Sequence, residues 1–182
     1  MRISPLARIC VLRSIILALF VMGATAEAAE APARVRSTSR AMLELVKEGI
    51  QRSATFRALV AGLESSNGIV YVEFGVCAFG HVNGCVLPFL VPASGQRYLR
   101  ILVTSDASRV SHDRLLSLIG HELQHAREIL DHSEVVDVMT MERMYQRIGT
   151  PLVGQRGYET SAARAVSDAI LAELFKTNPT TS

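Results

Sequence analysis

A chain of 182 residues, 49% of them hydrophobic and 20% charged, has one domain's length and enough apolar content to bury a proper core. Its formal net charge of +2 comes from 19 Lys and Arg against 17 Asp and Glu. Three of those arginines fall within the first 13 residues; without them 16 basic residues face 17 acidic ones, a net charge of −1, and nothing in that balance points to nucleic acid.

The first stretch has the pattern of a targeting segment. Arg2, Arg8 and Arg13 form a basic n-region, Ser14 to Gly23 a short apolar h-region, and Ala24 to Ala26 a small-residue cleavage site. The expectation is a secretory signal peptide over residues 1–26, with cleavage after Ala28 as the alternative. An uncleaved anchor is the competing reading, but the apolar run is well short of the roughly 20 residues that span a bilayer. Cys10 precedes the h-region and offers no lipoprotein attachment point. An exported protein, periplasmic or secreted, with no stable membrane span after cleavage, is therefore expected.

Residues 27–38 are a polar, alanine-rich stretch expected to be a flexible leader, and residues 39–176 the folded domain. From Ser39 to Gly68 the chain has the apolar period of a helix, carried by Met42, Leu43, Val46, Ile50, Leu59, Val60 and Leu63, and "SSNG" ends it. Three strands are expected next: "IVYVEFGV" (Ile69 to Val76), "CVLPFLV" (Cys85 to Val91) and "RYLRILVT" (Arg97 to Thr104), with "PASG" as a turn between the last two. Their succession through short turns predicts a small, mostly antiparallel sheet of about three strands, with Pro88 placing its strand at an edge. Cys77 and Cys85 flank "AFGHVNG", and an even count of cysteines in an exported chain predicts a disulfide. A Cys/His metal knuckle including His81 is the alternative, though its Gly-rich spacing fits no zinc pattern.

The next helix carries the chemistry. Ser111 is its expected N-cap and Asp113 a first-turn acid; Leu115, Leu118, Ile119, Glu122, Leu123, Ala126, Ile129 and Leu130 keep a helical period. Within it, "LIGHELQHARE" (Leu118 to Glu128) holds His121, Glu122 and His125. Histidines four apart on a helix share a face and can aim at one point, while Glu122, about 100° round, can reach a water there without ligating the metal. That is the HExxH pattern of zinc sites with a general base, and composition predicts on the order of 0.01 chance occurrences. Glu122 is also a polar intruder on an apolar stripe, which needs a partner or a task. Two more helices are expected, Ser133 to Gly149 and about Gly157 to Lys176, before a disordered tail over 177–182.

A catalytic zinc site takes a third protein ligand and keeps one position open. Glu159, expected to open the last helix with Ala162 and Ala163 allowing a close approach, is the favoured candidate. Asp131, His132, Glu134 and Glu142 compete with it. A donor that steadies a tetrahedral oxyanion is sought among Tyr158, Tyr145 and His112.

The pairing of "GHELQHA" (Gly120 to Ala126) with "YETSAA" (Tyr158 to Ala163) resembles the gluzincin clan of zinc metallopeptidases. More narrowly, the chain is similar to a group of short, exported, uncharacterised bacterial proteins with a HELQHA helix and an aromatic-Glu-Thr segment. The likeness runs from about Ser39 to Leu174, through "IVYVE", "RYLRI" and "ETSAARAVSDAILAEL". It implies an α+β, minimal zincin-like domain with Zn(2+) held by His121, His125 and Glu159, Glu122 as catalytic base, and a peptide or protein substrate extended along a sheet edge. Two positions depart from the thermolysin-like pattern: Ala163 stands where an Asp orients a ligand, and Arg127 where a hydrophobic residue is usual.

Overall fold

The computed structural model describes residues 34–78, 82–87, 91–104, 110–154 and 157–177. The expected signal peptide, His81, Pro88 and the tail from 178 onward lie outside the described residues.

Helix and sheet are both present, and the α+β expectation holds at that level. The long helix expected from Ser39 is two, α1 (Arg40–Arg52) and α2 (Ala54–Glu64), broken at Ser53. That serine closes α1 with its backbone N–H and caps α2 with its hydroxyl, which accepts from Phe56 N at 3.0 Å. Its hydroxyl also donates to Glu173 at 2.6 Å, which fixes the break from a distant part of the chain.

The sheet corrects the antiparallel expectation. Strand β1 (Val35–Arg36) pairs parallel with β2 (Gly68–Phe74), and β2 pairs parallel with β5 (Gln96–Val103) over seven residue pairs, from Gly68 opposite Arg97 to Phe74 opposite Val103. Strands β3 (Gly84–Val86) and β4 (Val91–Ala93) lie antiparallel to β5, on the edge that β2 leaves free. The segment after β2 thus folds back outside β5 instead of inserting beside β2. The reason is burial: β2 and β5 carry Val70, Val72, Leu99, Ile101 and Val103, all 2% exposed or less, and belong at the centre. Ser94 and Gly95, both with positive φ (51° and 74°), make the two-residue turn of the β4–β5 hairpin. Val35, inside the range expected to be a flexible leader, is buried in the core.

Helix α3 (His112–Asp131) packs its Leu116, Ile119, Leu123, Ala126 and Ile129 into that core. Its C-terminal end is held by the buried Arg97 of β5. The guanidinium donates to the carbonyls of Ile129 (2.9 Å), His132 (2.8 Å) and Val135 (3.2 Å), and to that of Leu130. Asn67 Oδ1 accepts from the same group at 2.9 Å. Helix carbonyls that have no partner within the helix are thereby satisfied, and a cation sits at the negative end of the helix dipole.

Helix α4 (Val138–Ile148) starts later than expected because Asp137 and Thr140 form a capping box there. A small hairpin follows, β6 (Thr150–Pro151) against β7 (Tyr158–Glu159). Helix α5 (Ser161–Thr177) then returns along α3. Thr160 meets Glu128, and Ser167 meets Ser117, so α5 runs antiparallel to α3. Gly120 permits the close approach: a Cβ there would fall 2.2 Å from Ile170.

Candidate metal centre

Because α3 presents His121 and His125 one turn apart and β7 ends beside them, the structure brings together His121, His125 and Glu159. Their ligand atoms all lie within 4.8 Å of one another, an arrangement that can hold a metal ion. His121 Nε2 is 3.6 Å from Glu159 Oε2, and His125 Nε2 is 3.8 Å from Glu159 Oε1. Ligands bonded at about 2.1 Å to a tetrahedral ion are separated by about 3.4 Å, so these gaps are close to those of a chelating set. Glu159 stands two residues before the first residue of α5, not in its first turn as expected. Thr160 is the better cap: its hydroxyl accepts from Ala163 N at 3.1 Å, while Glu159 Oε1 accepts from Thr160 N at 2.9 Å and the carboxylate faces the cluster.

Each imidazole is held from behind. His125 Nδ1 is 3.0 Å from Glu128 Oε2. A carboxylate only accepts, so a neutral His125 ring donates from Nδ1 and turns a bare Nε2 toward Glu159. Glu128 is fixed in turn by the Thr160 hydroxyl, which donates to Oε1 at 2.7 Å. Burial pushes the His125 pKa down, but the bond to Glu128 and the surrounding carboxylates outweigh it and the net shift is upward. His121 is shifted downward by burial and by the neighbouring His125, and it bonds with the main chain of Ala163. Position 163 carries no carboxylate; a main-chain group there holds His121, and Glu128 holds His125.

Glu122 stands outside the ligand set and is 4% exposed. Burial, with Glu159 adding to it, pushes its pKa up to about 7 against the pull of His125. A dication beside it would draw that value down again. Its carboxylate lies against the main chain of β3, where a Cβ at Gly84 would come within 2.6 Å of Oε1. Glycine is the residue that permits this contact.

A cleft of about 1170 Å³ opens over these groups, lined by Gly84, Val86, Leu118, His121, Glu122 and Tyr158 among others. Flanking β3, Asn83 O accepts from Thr104 N (2.7 Å) and Leu87 N donates to Arg100 O (2.8 Å), continuing the register with β5 at both ends. Main-chain groups of an antiparallel strand alternate in direction, so those of Gly84 and Val86 point to the outer edge. The Cys77–Cys85 disulfide, with Cα atoms 6.1 Å apart, anchors this strand beside the cleft.

The other candidates have separate roles. Asp131 pairs with Arg127, and Glu134 with both His132 and Arg147. Glu142 lines the cleft but is not in the cluster. His112 pairs with Glu48 at 2.9 Å. The Tyr145 hydroxyl donates to His125 O at 3.1 Å, and its ring stacks on Tyr158 with centroids 6.1 Å apart; among the described residues Tyr158 has no such bond to α3. Arg127 lies over α2, its guanidinium 2.2 Å from where a Cβ of Gly62 would be. Glu128, Thr160 and Gly84 were missed in the sequence. Glu128 had a signal, standing three residues after His125 on the same helix face.

The structure is that of an α+β protein with a two-histidine, one-carboxylate cluster, able to hold a metal ion, at the floor of a cleft. No protein-family model, curated protein or solved structure matches the chain. Among the described residues no helix is long and apolar enough to cross a membrane.

Proposed function

We propose that the protein is an exported zinc-dependent metallopeptidase of the gluzincin type. The observation that carries this reading is the convergence of His121, His125 and Glu159, with Glu122 buried beside the cluster but outside it. The donor set fits zinc: two imidazoles and one carboxylate are the ligands of open catalytic sites, whereas closed structural sites are built from four protein ligands rich in Cys. The ring orientation imposed by Glu128 fits as well. Bound zinc supplies Lewis acidity toward the scissile carbonyl and acidifies water.

Glu122 takes the proton as the water oxygen bonds to the carbonyl carbon, and returns it to the amine as the C–N bond breaks. The outward main-chain groups of Gly84 and Val86 suit an extended peptide, which can pair with them as a further strand. Tyr158 is the side chain assigned to steady the oxyanion. The Cys77–Cys85 bridge and the signal-like first 26 residues support export.

The test is zinc per chain, with peptide cleavage, in protein purified from an oxidising compartment. Near-stoichiometric zinc is expected in the wild type and in Glu122→Gln, lost in His121→Ala and Glu159→Ala, with cleavage lost in all three variants. A wild type that takes no zinc, while a control zincin loads, overturns the proposal. Zinc retained without cleavage of any peptide in a broad library overturns the catalytic part, leaving a zinc-binding structural or interaction domain.

A further inference from the structure

The cleft extends well beyond the metal cluster, and its charges are few. Arg114 is the one Lys or Arg among the described residues that line it. Arg114, Leu118, His121 and His125 recur at spacings of four, three and four, which places them on one face of α3. Leu171 of α5 lines the cleft too, and the antiparallel pairing of α5 with α3 sets it near Arg114. The floor therefore runs from the ligands over Leu118 and Leu171 to a single guanidinium.

Arg114 has three features that separate it from an ordinary surface charge. It is exposed and has no acidic partner among the described residues, although Arg52 and Asp113 beside it are paired at 2.8 Å. It occupies the first turn of α3, where the helix dipole favours an anion and a cation is placed at a cost. And it lines the substrate cleft, where its fork of donors is available to a ligand. Among the described residues the cleft's one carboxylate besides Glu122 and Glu159 is Glu142, carried by α4, which meets α3 at His125 through Tyr145.

We infer that Arg114 is a specificity residue that binds a carboxylate of the peptide substrate, with an apolar side chain lying over Leu118 and Leu171 between it and the scissile bond. This rests on the peptidase reading above. Seven helical residues separate Arg114 from His121, about 10 Å along the axis. At about 3.3 Å per extended residue, the bound carboxylate belongs about three residues from the cleaved bond. It is either the C-terminal carboxylate or an Asp or Glu side chain.

The experiment uses the zinc-loaded Glu122→Gln chain, which holds substrate without cutting it, and fluorescein-labelled hexapeptide pools followed by anisotropy. One pool has free C-termini and a second C-terminal amides; further amide pools carry Glu, Gln or Lys at each position in turn. A carboxylate at one place, terminal or side-chain, is expected to tighten binding about tenfold or more. The comparison of free acid with amide tells which source it is. Adding Arg114→Met is expected to erase the preference, and Arg114→Glu to transfer it to Lys-bearing pools, with zinc content unchanged. Equal affinity of all pools, or a preference that survives Arg114→Met, overturns the assignment to Arg114 while leaving the metal reading intact. A chain that takes no zinc overturns the metal reading, and this inference with it.

Discussion

The C-terminal end of α3 and its middle differ in what their buried polar groups bond to. At its C-terminal end Arg97 is enclosed and fully committed, its donors spent on four carbonyls and Asn67. In the middle of the same helix His121 and His125 are also largely enclosed, yet each turns a ring nitrogen toward Glu159 at 3.6 and 3.8 Å, too far for a hydrogen bond. A buried charge whose partners are all internal serves the fold. A buried cluster whose partners stop just short of one another has room for something else.

Removing Arg97 is the strongest way to break that contrast. In Arg97→Met the carbonyls of Ile129, Leu130, His132 and Val135 lose their shared donor within the core. The expected loss is about 4 kcal/mol, which for a domain of this size lowers Tm by roughly 10 °C. Zinc per folded chain is expected to stay as in the wild type. Thermal melts with and without chelator check both parts, and an unchanged Tm would mean that the cap is not what holds the helix end.

Glu128→Ala tests the other side. The side chain that sets the His125 ring is lost, and so is the acceptor of the Thr160 hydroxyl. The expected outcome is a 10- to 100-fold weaker metal affinity, the usual cost of deleting such an outer partner. Competition against a zinc chelator of known affinity measures it. Equal affinity in the variant would assign the orientation of His125 to Tyr145 and the ring contacts instead.

How much of this was legible follows from which contacts are local. His121, Glu122 and His125 were readable because helical spacing alone turns sequence distance into a shared face. Glu159 was identifiable as a residue, but its place in a hairpin before α5 was not, since that depends on Thr150 and Pro151 pairing with it and on Thr160 capping better. The sheet was misjudged because parallel pairing of β2 with β5 is a contact between distant segments, and strand-like composition says nothing of partners. Ser53 was invisible for the same reason. A serine inside an apolar period can stay helical, and what breaks the helix here is a carboxylate 120 residues away.

That carboxylate allows the finest test of the contrast, because Glu173 is a committed group like Arg97 but lies near the surface. Burial raises its pKa, and the hydrogen bonds from Ser53 and Thr55 together override this and hold it below its ordinary 4.5. A carboxylate lowered in the folded state contributes stability above its unfolded pKa and loses it as pH falls through the folded value. The wild type is therefore expected to exceed Glu173→Gln in stability at neutral pH, by a margin that shrinks as pH is taken toward about 3. Denaturant midpoints across that range measure it. Equal stability of the two chains at every pH would show that the α1–α2 corner depends on the shape of the side chain and not its charge.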